Sequence, residues 1–154
     1  MSHTLDDTDI KILQLLQDDA RLELKQIANR VHKSTSPVHE RIRKLKDMGY
    51  IKRYVAILDR EKIGMPVLVI TQVTLSNHTK TALNNFAEQV NHLPEVQLCL
   101  HLSGACDFIL HVSVPDPPAY YLFLMNKLCD LPNVVNVRTS FVLKECKIYS
   151  PFPL

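Results

Sequence analysis

Two apolar stripes of helical spacing, separated by one tight turn, constrain this chain more than any other feature. Leu24, Ile27, Ala28 and Val31 recur at i, i+3, i+4 and i+7, so they share one face of a short helix and leave Lys25, Gln26, Asn29 and Arg30 off it. In Lys33-Ser34-Thr35-Ser36-Pro37, which follows, Thr35 or Ser36 can cap a new helix, and Pro37 suits an early position where its missing N–H costs nothing. On that helix Val38, Ile42 and Leu45 share one side. At about 100° per residue the opposite side carries Ser36, Glu40, Arg43 and Asp47, flanked by His39 and Lys44. Two short helices, the second with a polar and partly basic outer face, make a helix-turn-helix whose last helix has the size to enter a major groove.

The flanks agree. Leu5-Asp6-Asp7-Thr8-Asp9 sets capping and acidic residues ahead of Ile10, Ile12, Leu13, Leu15 and Leu16, as a first helix requires. Met48-Gly49 stops the third helix. Tyr50 to Asp59 reads as a β-rich stretch, with Lys52 and Arg53 at a wing-like position near flanking phosphates. Charge is biased the same way: residues 1–60 carry 12 Lys/Arg against 9 Asp/Glu, whereas 61–154 carry 6 against 7. Between His32 and Arg53 the ratio is seven to two, a short basic stripe of the kind a phosphate backbone selects.

Glu61-Lys62-Ile63-Gly64-Met65-Pro66 carries two breakers, and composition turns from charged to apolar there, which places a boundary between domains 1–60 and 61–154. Beyond it the pattern predicts a strand at Val67–Leu75, a helix at Thr79–His92, strands at Val96–Leu102 and Cys106–Val114, a helix at Asp116–Cys129 and a strand from Val134. Pro94, Pro132, the Asp116-Pro117 cap and the Ser103-Gly104-Ala105 turn supply the punctuation. The order βαββαβ is that of a ferredoxin-like split arrangement, making the chain α+β as a whole. Such a sheet is covered by helices on one face, yet Val67 to Ile70 is apolar on both, and Tyr120 to Met125 is apolar nearly all round its helix. A second copy of the chain is the economical cover for both surfaces.

Other classes fit less well. With three glycines the chain has no phosphate-binding loop, and it holds no nucleophile elbow, His-Glu-x-x-His or other catalytic constellation, so an enzyme is not expected. The RNA recognition motif shares the βαββαβ order, but here the second central strand offers only Phe108 and no basic-glycine-aromatic signature. Cys99, Cys106, Cys129 and Cys146 lack Cys-x2-Cys pairing; they are expected to be buried reduced thiols, with no metal site. Neither a basic leader nor an apolar run approaching membrane-spanning length is present, which predicts a soluble cytoplasmic chain.

Several segments, spread along the whole chain, resemble the Lrp/AsnC, or feast/famine, family of transcription regulators. They are Leu5 to Leu13, Ser34 to Leu45, Gly49 to Asp59, the Gly-x-x-Asp turn in Ser103-Gly104-Ala105-Cys106-Asp107-Phe108, and Thr139 to Glu145. The resemblance implies a winged helix-turn-helix followed by an effector and oligomerisation domain, with dimers assembling into tetramers, octamers or larger rings. It implies no enzymatic cofactor, but an amino-acid effector bound between dimers near the Gly-x-x-Asp turn. Ser103, Gly104, Cys106 and Asp107 are then the expected ligand-side positions, with Thr139 and Ser140 from a neighbouring strand. Backbone N–H groups near Gly104 suit a carboxylate and Asp107 suits an ammonium. For double-stranded DNA, periodicity and resemblance together select Ser34, Ser36, His39, Glu40, Arg43 and Lys44, joined by Lys52 and Arg53. Arg43 suits a guanine edge and Glu40 a cytosine amine. An architectural DNA-binding protein of the same fold, without an effector, is the alternative.

Overall fold

The structure is a computed structural model that describes residues 4–148 and 150–154. The chain divides into two compact units, one running to Ile57 and including Cys146–Leu154, the other spanning Leu58–Glu145. The expected boundary is three residues away, but the last segment is not where a simple cut at residue 60 would put it. After the final strand it rejoins the first unit. There Phe152 donates its N–H to the Gln17 side chain at 2.7 Å, and Gln14 donates to the Leu154 carbonyl at 2.9 Å.

The first unit contains α1 (Asp7–Asp18), α2 (Leu24–Arg30) and α3 (Thr35–Asp47). Asp6 caps α1 and pairs with Asp9 in a reciprocal capping box. Beyond α2 the chain closes by a Lys33 N–H to Ala28 carbonyl bond of 3.0 Å, which takes His32 into the left-handed region at φ +52°. The cap of α3 is Ser34, one residue before the expected positions, and Pro37 lies in its first turn. Gly49, at φ +80°, ends α3 as expected, with Tyr50 N–H bonding back to the Leu45 carbonyl at 2.9 Å. Ile12, Leu13, Leu15, Ile27, Ala28, Val31, Val38 and Leu45 form its core.

The expected β-structure after Gly49 needs correction. Residues 52–58 are assigned to no strand, and Val55, Ile57 and Leu58 are each more than half exposed. A run of β-forming residues becomes a strand only when a second backbone accepts its hydrogen bonds, and among the described residues no segment is paired with it.

The second unit contains β1 (Val67–Leu75), α4 (Lys80–Asn91), β2 (Val96–His101), β3 (Phe108–Val114), α5 (Pro117–Phe123), a π-helical turn at Leu124–Leu128, and β4 (Val134–Phe141). The sheet order is β2-β3-β1-β4 with antiparallel neighbours, the ferredoxin-like arrangement. One face carries Val69, Thr71, Val73 and Leu75 beside Phe108, Leu110, Val112 and Val114, all buried under Phe86, Val90, Tyr120 and Phe123 of the helices. The other face carries Leu68, Ile70, Ile109 and His111, with Leu98 and Leu100 more than a third exposed. On α5 and its extension, Tyr120, Phe123 and Leu128 turn inward, while Tyr121, Leu122 and Met125 are exposed. The Cys129 N–H reaches the Leu124 carbonyl five residues back, widening the last turn where the sequence reads as plain α-helix.

Candidate nucleic-acid interface and ligand-side turn

Ser34, the cap of α3, is exposed; Ser36, His39, Glu40, Arg43 and Lys44 are exposed too, on the side of the helix away from buried Val38 and Leu45. They form one surface because 3.6-residue periodicity aligns them, and the apolar stripe behind holds them in place. Arg43 is ion-paired to Glu40 one turn earlier, and both side chains are more than half exposed. Such a pair is weak in water, so a base or phosphate can take the guanidinium at little cost. Lys52 and Arg53 are exposed on the irregular run after α3, which is tied back to that helix by the Lys46 ammonium lying 5.7 Å from the Tyr54 ring centroid.

Arg41, one of seven cations in the basic stripe, turns inward. Its Nη1 lies 2.7 Å from Asp6 Oδ2 and 2.7 Å from Asp9 Oδ1. The Asp6 carboxyl is held below its usual range, first by the Asp9 N–H and then by the Arg41 guanidinium. Asp9 and then Asp6 in turn hold Arg41 in its charged form. Charge pattern alone does not separate this residue from its outward neighbours; the period does, since Arg41 lies four residues before buried Leu45.

The second candidate site lies at the hairpin between β2 and β3. Leu102 N–H bonds to the Asp107 carbonyl at 2.8 Å and Asp107 N–H to the Val73 carbonyl at 2.9 Å, closing the loop that displays Ser103, Gly104 and Cys106. Ser103 and Gly104 are exposed, Cys106 half-buried. Asp107 is largely buried; Oδ2 accepts the Leu75 N–H at 2.7 Å, and its carboxylate lies 3.0 Å from the His78 imidazole. The Leu75 bond falls where the β1–β4 register slips, so the carboxylate serves an amide at a ladder irregularity. His78, from the loop before α4, was not expected here; no spacing in the sequence marks it.

The structure does not bring Thr139 and Ser140 to that turn within one chain. Thr139 pairs with Thr71, itself opposite Leu110, so it stands two strands across and three residues along from Asp107, roughly 14 Å by ordinary sheet dimensions. Strand alternation also sends the two side chains to opposite faces. The Thr139 hydroxyl meets the Tyr120 hydroxyl at 2.8 Å, and the latter meets Thr71, fully buried, at 2.9 Å. The same alternation separates Cys99 and His101, on the helix-side face, from His111 on the other. Among the described residues no three His, Cys, Asp or Glu side chains are placed to hold a metal ion. Cys129 and Cys146 are exposed, against the expectation that all four thiols are buried, because each follows the element that would have covered it; burial pushes the Cys99 thiol up.

A helix-turn-helix with a basic outer face, joined to a four-stranded α+β unit, defines a DNA-binding transcription regulator with a ligand-binding domain. Residues 5–52 match the winged helix-turn-helix DNA-binding model, and residues 68–152 match the Lrp/AsnC ligand binding domain. The chain belongs to the Lrp/AsnC family. It is 37% identical to the Bkd operon transcriptional regulator of Pseudomonas aeruginosa, covering 97% of this chain and 98% of that one. It is 36% identical to the leucine-responsive regulatory protein of Escherichia coli, covering 93% and 87%. A crystal structure of a Neisseria meningitidis transcriptional regulator in complex with L-Met superposes with a TM-score of 0.91 at 36% identity, covering 97% of each chain. These relatives are regulators, not enzymes. Among the described residues no helix is long and apolar enough to cross a membrane.

Proposed function

We propose that this chain is a cytoplasmic, sequence-specific regulator whose C-terminal unit binds a free amino acid between dimers and thereby changes how α3 meets double-stranded DNA. The observation that carries the reading is the likeness, over nearly the full chain, to a regulator bound to L-Met. In this reading backbone N–H groups near Gly104 receive the ligand carboxylate, with Ser103 and Cys106 beside it. Asp107 holds the turn through Leu75, and its Oδ1, which lies 3.0 Å from the His78 imidazole, has a second lone pair for the ammonium. Thr139 and Ser140 serve only from another copy, and Ser140 is the better placed because Thr139 is engaged with Tyr120.

The open sheet face and the exposed Tyr121, Leu122 and Met125 support assembly into dimers and multiples such as octamers. A dimer presents two recognition helices and so favours a roughly palindromic site, with half-sites about 10 bp apart or a multiple of that. A thermal-shift screen against the twenty amino acids, with assembly mass followed by light scattering, tests the reading. Ligand at 100 times its Kd adds about 2.7 kcal/mol. A shift with one or a few amino acids is expected; none at all, with DNA binding intact, would leave the architectural alternative.

A further inference from the structure

We propose that Arg41 is a positioning residue for the recognition helix: by bridging the two carboxylates at the start of α1 it sets the rotation of α3 at which Arg43 and Lys44 face DNA. Each of the four carboxylate oxygens has a place in the cap or the bridge. Asp6 Oδ1 accepts the Asp9 N–H at 2.8 Å and Asp9 Oδ2 accepts the Asp6 N–H at 3.4 Å, completing the cap of α1. The remaining two, Asp6 Oδ2 and Asp9 Oδ1, accept from the one Arg41 nitrogen at 2.7 Å each.

Asp9 is only 2% exposed, so its charge is held in place by this arrangement rather than by water. Arg41 and Arg43 are two residues apart, about 200° around the helix, so pinning one toward α1 directs the other outward. Apolar packing of Val38 and Leu45 is non-directional and tolerates small rotations of a helix; a two-carboxylate clamp on Arg41, midway along α3, does not.

The inference rests on the DNA-binding reading and makes a prediction whose sign differs from simple electrostatics. Asp6 and Asp9 border the same cleft as Arg43 and Lys44. As bare negative charges near a phosphate backbone they would weaken binding, and neutralising them would tighten it. As anchors of Arg41 they support binding, and neutralising them weakens it.

The test uses the full chain, a fluorescent duplex that the wild type enriches from a random-sequence pool, and a scrambled duplex of equal composition. Asp6→Asn is the deciding variant: Asn caps a helix as well as Asp, and the Asp6 side chain is half exposed, so the fold is kept. Expected is a loss of about tenfold on the enriched duplex, comparable to one misplaced base contact, with the scrambled duplex bound as before or slightly tighter. Arg41→Ala is expected to lose at least as much while leaving the salt dependence of log K unchanged, with Arg41→Lys partly restoring binding. Equal tightening of both duplexes by Asp6→Asn, equal weakening of both, or a salt slope reduced by about 0.9 in Arg41→Ala, the mark of a lost phosphate contact, would each overturn the inference. No enrichment by the wild type would overturn the DNA reading and this inference with it.

Discussion

Tyr120 is 4% exposed, yet its hydroxyl has two partners, and one of them, Thr71, is wholly buried in the middle of the sheet. Tyr120→Phe leaves that threonine without its partner, so a loss of about 1–3 kcal/mol is expected, read as a lower denaturation midpoint at unchanged slope. Asp107 has the same character. Asp107→Ala strands the Leu75 N–H and should cost a similar amount, whereas Asp107→Asn keeps a carbonyl oxygen for that bond and should melt near wild type. Amino-acid response is therefore better compared in Asp107→Asn, where its loss would identify the carboxylate charge as the ligand contact. On α3, Arg43→Ala with Lys44→Ala should weaken DNA binding and leave assembly mass unchanged; undiminished affinity would move the recognition face elsewhere. At this scale the sequence was legible for outward residues of α3, whose positions follow from periodicity alone. It was not legible for His78, Thr139 or Tyr120, because their partners are set by strand register across stretches of 19 to 49 residues.

Elements were easier to read than contacts, since hydrophobic period and capping chemistry are local. Each helix of the second unit begins within one residue of its expected start, with the Thr79 and Asp116 side-chain oxygens accepting from the Ala82 and Ala119 N–H groups of the first turn. The run after Gly49 was misread because β-propensity describes a residue's fitness for a sheet, not the presence of a partner. The capping box of α1 makes the first unit sensitive to acid in a defined direction. A carboxyl whose folded pKa is depressed contributes stability that is present above its unfolded value, near 3.9, and is lost as pH falls through the folded value. The Asp9 N–H is the largest cause of that depression, and Arg41→Ala removes the next, the hydrogen bond and charge of the guanidinium. Circular dichroism between pH 5 and 2 should therefore show Arg41→Ala losing helix at a higher pH than wild type; coincident curves would assign the depression to the cap alone.

For the whole chain, the two-domain plan and strand order follow from the sequence because breakers and helix periods alternate cleanly, and ferredoxin-like topology is what that alternation builds. The destination of the last segment did not, since Pro151-Phe152-Pro153-Leu154 has no period to interpret. Assembly belongs to this scale too. Leu100→Lys, on the open sheet face, should lower the mass seen by light scattering without unfolding the sheet, because Leu100 is 44% exposed in the single chain.

The bonds from Gln14 and Gln17 to the final segment make that segment a ligand carried on a leash. A tethered group meets its site at an effective concentration of about millimolar, so contacts too feeble to hold a free peptide suffice to keep it seated. Phe152 and Leu154 line an apolar groove with Leu5, Leu13, Leu16 and Tyr54. A fragment cut after Ile57 would present that groove bare and should be stickier than the chain it came from, and a synthetic Cys146–Leu154 peptide would cure it only at millimolar dose.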